Sequence, residues 1–262
     1  MTAVLSTILD DVRKRLAERR RATSLAKLRD QAMVARQPWD FIAALEQSKP
    51  AVIAEVKRKS PSMGDIDAKA DPVKVARQYA SAGAAALSVL TEADHFGGAP
   101  EVLTAIRERL PKAALLMKDF VVDLSQLLEA RVWGADCVLL MVSVLGESID
   151  EYLALATALG LTSLVEVHDA DEMKIAVRAG APLIGINNRN LKTMEVKLES
   201  GIALAAEAPK GALLVAESGI ATGADVKRLA KAGFHAFLVG TALMRDGEPG
   251  QALEKLRREA KT

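Results

Sequence analysis

Eight short runs of branched apolar residues punctuate the chain: AVIAEV from residue 51, AAALSVL from 84, AALLMK from 113, DCVLLMV from 136, TSLVEV from 162, PLIGIN from 182, ALLVAES from 212 and HAFLVG from 235. Their starts lie 33, 29, 23, 26, 20, 30 and 23 residues apart, room for a strand, a helix and two loops. This period predicts parallel strands alternating with helices. Asp71-Pro72 supplies an N-cap and a proline at the first helical position, and Ser148/Glu151 and Asp169/Glu172 have capping-box spacing. Gly83, Gly134, Gly160, Gly180, Gly211 and Gly233 stand where helices should end, at positions that need positive φ. Seven crossovers and a terminal helix around residues 248–260 make eight βα units. The even unit length and the chain size favour a closed (β/α)8 barrel of the TIM type over an open doubly wound sheet.

Residues 1–48 stand outside that rhythm and read as an N-terminal helical extension packing on a barrel of residues 49–262. Val4, Ile8, Val12 and Leu16, with Leu5 and Leu9 beside them, describe an amphipathic helix. Pro38 opens a second, WDFIAALEQ. The extension is expected to form a lid or flange over one barrel end. The cluster Arg13, Lys14, Arg15, Arg19, Arg20 and Arg21 lies mostly off the apolar stripe and reads as a solvated face.

Composition narrows the class. The 262 residues balance 35 Lys+Arg against 34 Asp+Glu, so no global basic excess exists to hold nucleic acid or an anionic membrane. Aromatics at 3% argue against base-stacking surfaces. No apolar run reaches a membrane span, and Asp10, Asp11 and Arg13 interrupt any signal-peptide core, so a cytoplasmic protein is expected. The one cysteine, Cys137, excludes an internal disulfide and a cysteine-rich zinc site. With three scattered histidines, metal-free chemistry without a cofactor is expected, although spacing leaves a carboxylate-bound magnesium open. A monomer is expected, since no long apolar stripe remains once the first helix docks.

In such a barrel the chemistry sits at the C-terminal strand ends. The first run ends in Glu55-Val-Lys57-Arg-Lys59-Ser60, the third in Lys118-Asp119-Phe120, the fifth in Glu166-Val-His168 and the sixth in Asn187-Asn188-Arg189-Asn190-Leu191. Alternation puts Glu55 and Lys57 on one strand face, and Glu166 and His168 on another. Each charge alone could be a rim group or a structural counterion, and His168 could simply cap its loop. Two lysines and two glutamates converging in a partly dry mouth would shift one another's pKa values, the preparation for proton transfer. His95 and His235 are weaker candidates, His235 because it opens a strand.

Glu217-Ser218-Gly219-Ile220 follows the seventh run and Gly240-Thr241 the eighth. Glycines there let backbone N–H groups approach a phosphate, with hydroxyls and a helix start adding donors. Ser218, Gly219, Gly240 and Thr241 are therefore candidate phosphate-binding residues; ordinary tight turns are the alternative. Neither a P-loop nor a dinucleotide fingerprint follows the first strand.

These blocks together resemble the indole-3-glycerol phosphate synthase family: IAEVKRKSPSMG at 53–64, LSVLTEADHFGG at 87–98, LLMKDFVVD at 115–123, LVEVHD at 164–169, IGINNRNLKT at 184–193, VAESGI at 215–220 and FLVGTALM at 237–244. The resemblance spans essentially the whole chain, with departures at Met63, Ala216 and Thr241. It implies conversion of 1-(o-carboxyphenylamino)-1-deoxyribulose 5-phosphate to indole-3-glycerol phosphate, carbon dioxide and water, in tryptophan biosynthesis. It further implies Lys118 as the general acid, Lys57 at the substrate carboxylate, Glu166 as base or cation stabiliser, and Glu55 as a tuning group. Asn187 and Arg189 would orient substrate and charges; Phe120, Leu139 and Leu191 would enclose the anthranilate ring, and Ser60 would hold its polar end. Alternatives from the residues themselves are a Schiff-base aldolase acting through Lys118 and a non-catalytic phosphate-sugar binding barrel.

Overall fold

A computed structural model describes residues 3–61, 64–245 and 247–261; Ser62 and Met63 of the first motif lie outside the described residues. Each of the eight apolar runs forms a parallel strand: β1 (Ala51–Val56), β4 (Ala86–Leu90), β5 (Leu115–Lys118), β6 (Cys137–Met141), β7 (Thr162–Val167), β8 (Leu183–Asn187), β9 (Leu214–Glu217) and β10 (Ala236–Val239). The sheet closes where β1 pairs with β10, Ala51 opposite Ala236. A two-stranded ribbon that the apolar pattern does not announce, β2 (Lys59–Ser60) with β3 (Gly64–Asp65), follows β1 at the mouth.

The helices are α1 (Ala3–Ala22), α2 (Leu25–Val34), α3 (Phe41–Glu46), α4 (Pro72–Ser81), α5 (Pro100–Arg109), α6 (Ser125–Trp133), α7 (Val142–Leu145), α8 (Ile149–Ala158), α9 (Ala170–Arg178), α10 (Leu198–Ala205), α11 (Gly223–Lys231), α12 (Thr241–Met244) and α13 (Pro249–Lys261). Asp71 caps α4 by accepting the N–H groups of Val73 and Lys74. Asp169 caps α9, but Glu172 reaches past the cap to the N–H of His168. Ser148 does not cap α8: its backbone is already helical (φ −70°, ψ −4°) after a 3₁₀ turn, whereas a cap needs an extended residue. The full capping box is instead Thr222 with Asp225 at α11. The glycines at the six helix ends all adopt positive φ.

Strand alternation sorts the core into two shells. Val52, Ala54 and Val56 of β1 face the helices, while Ala51 and Ile53 face the barrel axis, and the inward series continues to Glu55 and Lys57. The same parity directs Lys118 inward after Leu116, Glu166 after Leu164, and Glu217 after Val215. Four inward alanines at the strand starts, Ala51, Ala86, Ala114 and Ala236, leave a hollow that Phe41 of α3 fills completely buried. The segment before β1 thus reaches both barrel ends: α3 floors the barrel, while Leu5 and Ile8 of α1 line its mouth.

The basic cluster on α1 is more than a solvated face. Arg19 grips Glu129 with two hydrogen bonds of 2.8 Å, Arg15 pairs with Asp94, Arg20 with Asp123, and Asp11 lies 3.1 Å from His95 Nε2. Opposite charge supplied by α6 and by the barrel loops is what draws these arginines down. Among the described residues, no helix is long and apolar enough to cross a membrane.

Candidate active site

The strand ends of β1, β5, β7, β8 and β9 aim polar side chains at a cavity of about 160 Å³ at the C-terminal mouth. Lys57, Lys118, Glu166 and Asn187 line it, together with Ser60, Phe120, Leu139, Arg189, Leu191 and Ser218. Leu5 and Ile8 of α1 line it together with Leu90, Phe96 and Met141 of the barrel, so the charges share a largely apolar enclosure. Low dielectric strengthens every pairing within it.

Lys118 stands at the centre. Its Nζ lies 3.7 Å from Glu166 Oε2 and 3.6 Å from Glu217 Oε2. Burial depresses its pKa, but Glu217, Glu166 and Glu55 outweigh burial and raise it, so the amine is an ammonium at neutral pH. Glu55 is buried beneath it, 2.8 Å from Lys57 Nζ and accepting from Ser88 Oγ at 3.3 Å. Burial raises the Glu55 carboxyl, and Lys57 and Lys118 more than reverse this.

The two carboxylates flanking Lys118 are driven apart. Burial lifts both; Glu166 is held below the ordinary carboxylate range by Lys118, His168 and Asn187, whereas Glu217 is pushed up by burial and by the charge of Glu166. Carboxyls separated this way are prepared for opposite duties, one accepting a proton and one retaining it. Asn187 donates to Glu166 Oε1 at 3.0 Å and accepts the backbone N–H of Arg189 at 3.0 Å, which fixes its amide. Phe96 and Phe120 meet at 6.0 Å between ring centroids, giving the cavity an aromatic wall.

Glycines make room for these acids. A methyl group at Gly185 on β8 would overlap Glu217 Oε1, and one at Gly240 would fall 2.7 Å from Glu55 Oε1. Gly240 therefore sits against the Glu55–Lys57 pair, at the N-cap of α12, which Thr241 opens. Ser218 reaches the cavity with positive φ; Gly219 beside it also has positive φ, and a methyl group there would run into Val196 and Leu198. Gly219, Gly240 and Thr241 are not among the residues lining the cavity; they flank it at the ends of β9 and β10.

Glu217 is the charged member that sequence reading passed over, as a mere prelude to the turn after it. The signal was present: it follows Val215 by two residues, as Glu55 follows Ile53. Glu92 also borders the cavity, but its carboxylate accepts the N–H groups of Asp94, His95 and Phe96 and so shapes the loop. His235 lies at the opposite end of the barrel, where its Nδ1 accepts the N–H of Leu214. Cys137 is buried and unpaired among the axial core residues.

A family model for indole-3-glycerol phosphate synthase matches residues 5–256. The chain is 46% identical over 263 residues to the indole-3-glycerol phosphate synthase of Polaromonas sp. (strain JS666), covering 98% of each. It is 44% identical over 264 residues to that of Laribacter hongkongensis (strain HLHK9), covering 98% of this chain and 99% of the relative. Among solved structures, thiamine phosphate pyrophosphorylase from Pyrococcus furiosus aligns with a TM-score of 0.63 at 19% identity, over 81% of this chain and 96% of that one. The 3-hexulose-6-phosphate synthase of Salmonella typhimurium aligns with a TM-score of 0.65 at 17% identity, over 80% and 97%. Both likenesses show the fold alone.

Proposed function

The chain belongs to the indole-3-glycerol phosphate synthase family, and from that membership we propose how its own side chains divide the work. The enzyme closes the indole ring, converting 1-(o-carboxyphenylamino)-1-deoxyribulose 5-phosphate to indole-3-glycerol phosphate, carbon dioxide and water. The balance sets the requirements. The carboxylate leaves as carbon dioxide and returns its electron pair to the ring; the ketone oxygen takes two protons and leaves as water; one C–H proton is removed. Two protons enter and one departs.

Lys118 supplies the first proton, to the ketone oxygen as the aromatic carbon attacks. The observation that carries this reading is its position, an ammonium 3.6–3.7 Å from two buried carboxylates in an apolar mouth. Glu166, held ionised, takes the C–H proton and stabilises the cationic intermediate; transfer back to Lys118 would restore both groups. Lys57 binds the substrate carboxylate, and Glu55 keeps Lys57 in place. Glu217, the carboxyl that burial favours in its neutral form, lies beside Lys118, donates the second proton to the hydroxyl as it leaves as water, and is reprotonated from solvent.

Phe120, Leu139 and Leu191 enclose the anthranilate ring, Ser60 holds its polar end, and Asn187 and Arg189 orient the reacting groups. Ser218, Gly219, Gly240 and Thr241 hold the phosphate at the β9 and β10 ends. Stretched between lysine ammonium groups and those backbone donors, the substrate would bring ring carbon and ketone into contact. A Schiff-base route needs a neutral amine, which the ionised Glu166 and Glu55 oppose, and Glu217 too once it ionises.

We take a monomer as the working unit. The single buried thiol suits a reducing compartment, and we place the enzyme in the cytoplasm. The test is to incubate the purified chain with the anilino-deoxyribulose phosphate and follow indole fluorescence with cyanoborohydride present, which reduces an iminium at neutral pH and spares the substrate ketone. Full turnover without covalent labelling of Lys118 is expected; labelling with loss of turnover would overturn the acid assignment.

A further inference from the structure

Glu166 stands near the end of β7, His168 follows the strand, and α9 brings Glu172 back towards His168. One oxygen of Glu172, Oε2, accepts the backbone N–H of His168 at 2.8 Å and lies 3.0 Å from its Nδ1, so the ring is pinned at two points. The opposite ring nitrogen, Nε2, lies 3.1 Å from Glu166 Oε1. Asn187 donates to that same Oε1 at 3.0 Å. Oε1 of Glu166 therefore takes the Asn187 hydrogen bond and faces the charge of His168, whose Nε2 is in ion-pair range without an aligned hydrogen bond, while Oε2 is turned to Lys118.

We propose that His168 is a positioning residue for this reaction: an imidazolium anchored by Glu172, it holds Glu166 ionised and in the one rotation that presents Oε2 to the substrate. The inference rests on Glu166 acting as the base. Imidazole suits the position because it is rigid and carries a nitrogen on each side, so one short side chain bridges two carboxylates. A buried Glu166 without this cation would share Lys118 alone with Glu217, and burial would favour its protonated, unreactive form.

The charges around His168 agree. Its own strand presents Glu166 and α9 presents Glu172 in contact; Lys118 on β5 and Glu217 on β9 act at longer range, through Glu166. α7 and β8 present Ser143 and Asn187, which do not titrate. Arg189, Lys192, Glu195 and Lys197 border with His168 a second cavity of about 550 Å³, which shares Asn187 with the first. Burial lowers the His168 pKa, but Glu166 and Glu172 prevail and carry it up to about 10.

The test compares full-length His168→Gln, Glu172→Gln and Glu166→Gln proteins with the parent. Glutamine at 168 keeps a donor without a charge. Turnover should fall about tenfold or more, as misplacement of a reacting group does, with KM little changed and the acid limb of the pH profile moved to higher pH. Glu172→Gln should lower the His168 pKa: NMR titration is expected to find the ring charged at pH 8 in the parent and less charged there in the variant. An unchanged acid limb in folded His168→Gln, or a neutral parent ring at pH 7, overturns the proposal. Should His168→Gln fail to fold, the ring titrations of the parent and of Glu172→Gln decide alone. Retained turnover in Glu166→Gln would instead refute the base itself; lost turnover there with an unmoved His168→Gln profile would sink only the positioning role.

Discussion

Gly185 has no side chain where the carboxylate of Glu217 lies, and a methyl group at that position would overlap Glu217 Oε1. The absence of a β-carbon on β8 thus allows a carboxyl on β9 to reach Lys118. Gly185→Ala must push that carboxyl aside, and its strand neighbour Leu164 would also be crowded. Turnover of the folded variant is expected to drop by about 10–100-fold, the cost of displacing a reacting group by an ångström or so. Steady-state kinetics beside circular dichroism measure it; wild-type turnover would show that the placement of Glu217 is immaterial.

The pH response follows from the same cluster. Glu217 raises the pKa of Lys118, so Glu217→Gln should bring it down. The ammonium then deprotonates at lower pH, and the alkaline limb of kcat moves to lower pH. A limb that stays in place would mean that Glu217 does not act on the general acid.

For stability, the floor matters more than the mouth. Phe41 is completely buried among inward alanines, so Phe41→Ala should destabilise the barrel by about 3–5 kcal/mol. Denaturant unfolding measures this; a loss under 1 kcal/mol would mean that α3 is not the plug it looks to be. Asp136, fully buried, pairs with both Arg36 and Arg107 and accepts the N–H groups of Trp39 and Leu115. Removing its charge leaves two arginines uncompensated, so Asp136→Asn should cost about 3–5 kcal/mol.

Truncation separates the two ends. Deleting α1 alone, up to Thr23, removes Leu5 and Ile8 from the cavity wall while leaving α3 in place. KM should rise several-fold with the barrel still folded. Removing everything before β1 would also take away Phe41 and unfold the floor. Equal stability of the two truncations would contradict this division.

Much of this was legible in the sequence because it is local. Strand starts, the caps Asp71 and Asp169, and the inward parity of Glu55, Lys118 and Glu166 all follow from spacing within a few residues. Glu217 obeyed the same parity and was legible too, had the alternation been applied to it. The remainder depends on partners far along the chain. Arg15, Arg19 and Arg20 find acids 79, 110 and 103 residues away, and no local pattern distinguishes such a clamp from a solvated face. Which barrel end Phe41 fills is likewise decided by four alanines on separate strands. Ser148 failed as a cap because the preceding turn had already set its backbone helical, a property of the loop rather than of the Ser-x-x-Glu spacing.

The most direct measurement concerns Lys118 itself. Lys118→Ala should fold as the parent does, bind the phosphorylated substrate, and turn it over at least 10²-fold more slowly, in the range lost with a general acid. Indole fluorescence under saturating substrate reads the rate. Turnover near the parent's in a folded Lys118→Ala protein would contradict the assignment of the acid, and with it the arrangement built around that ammonium.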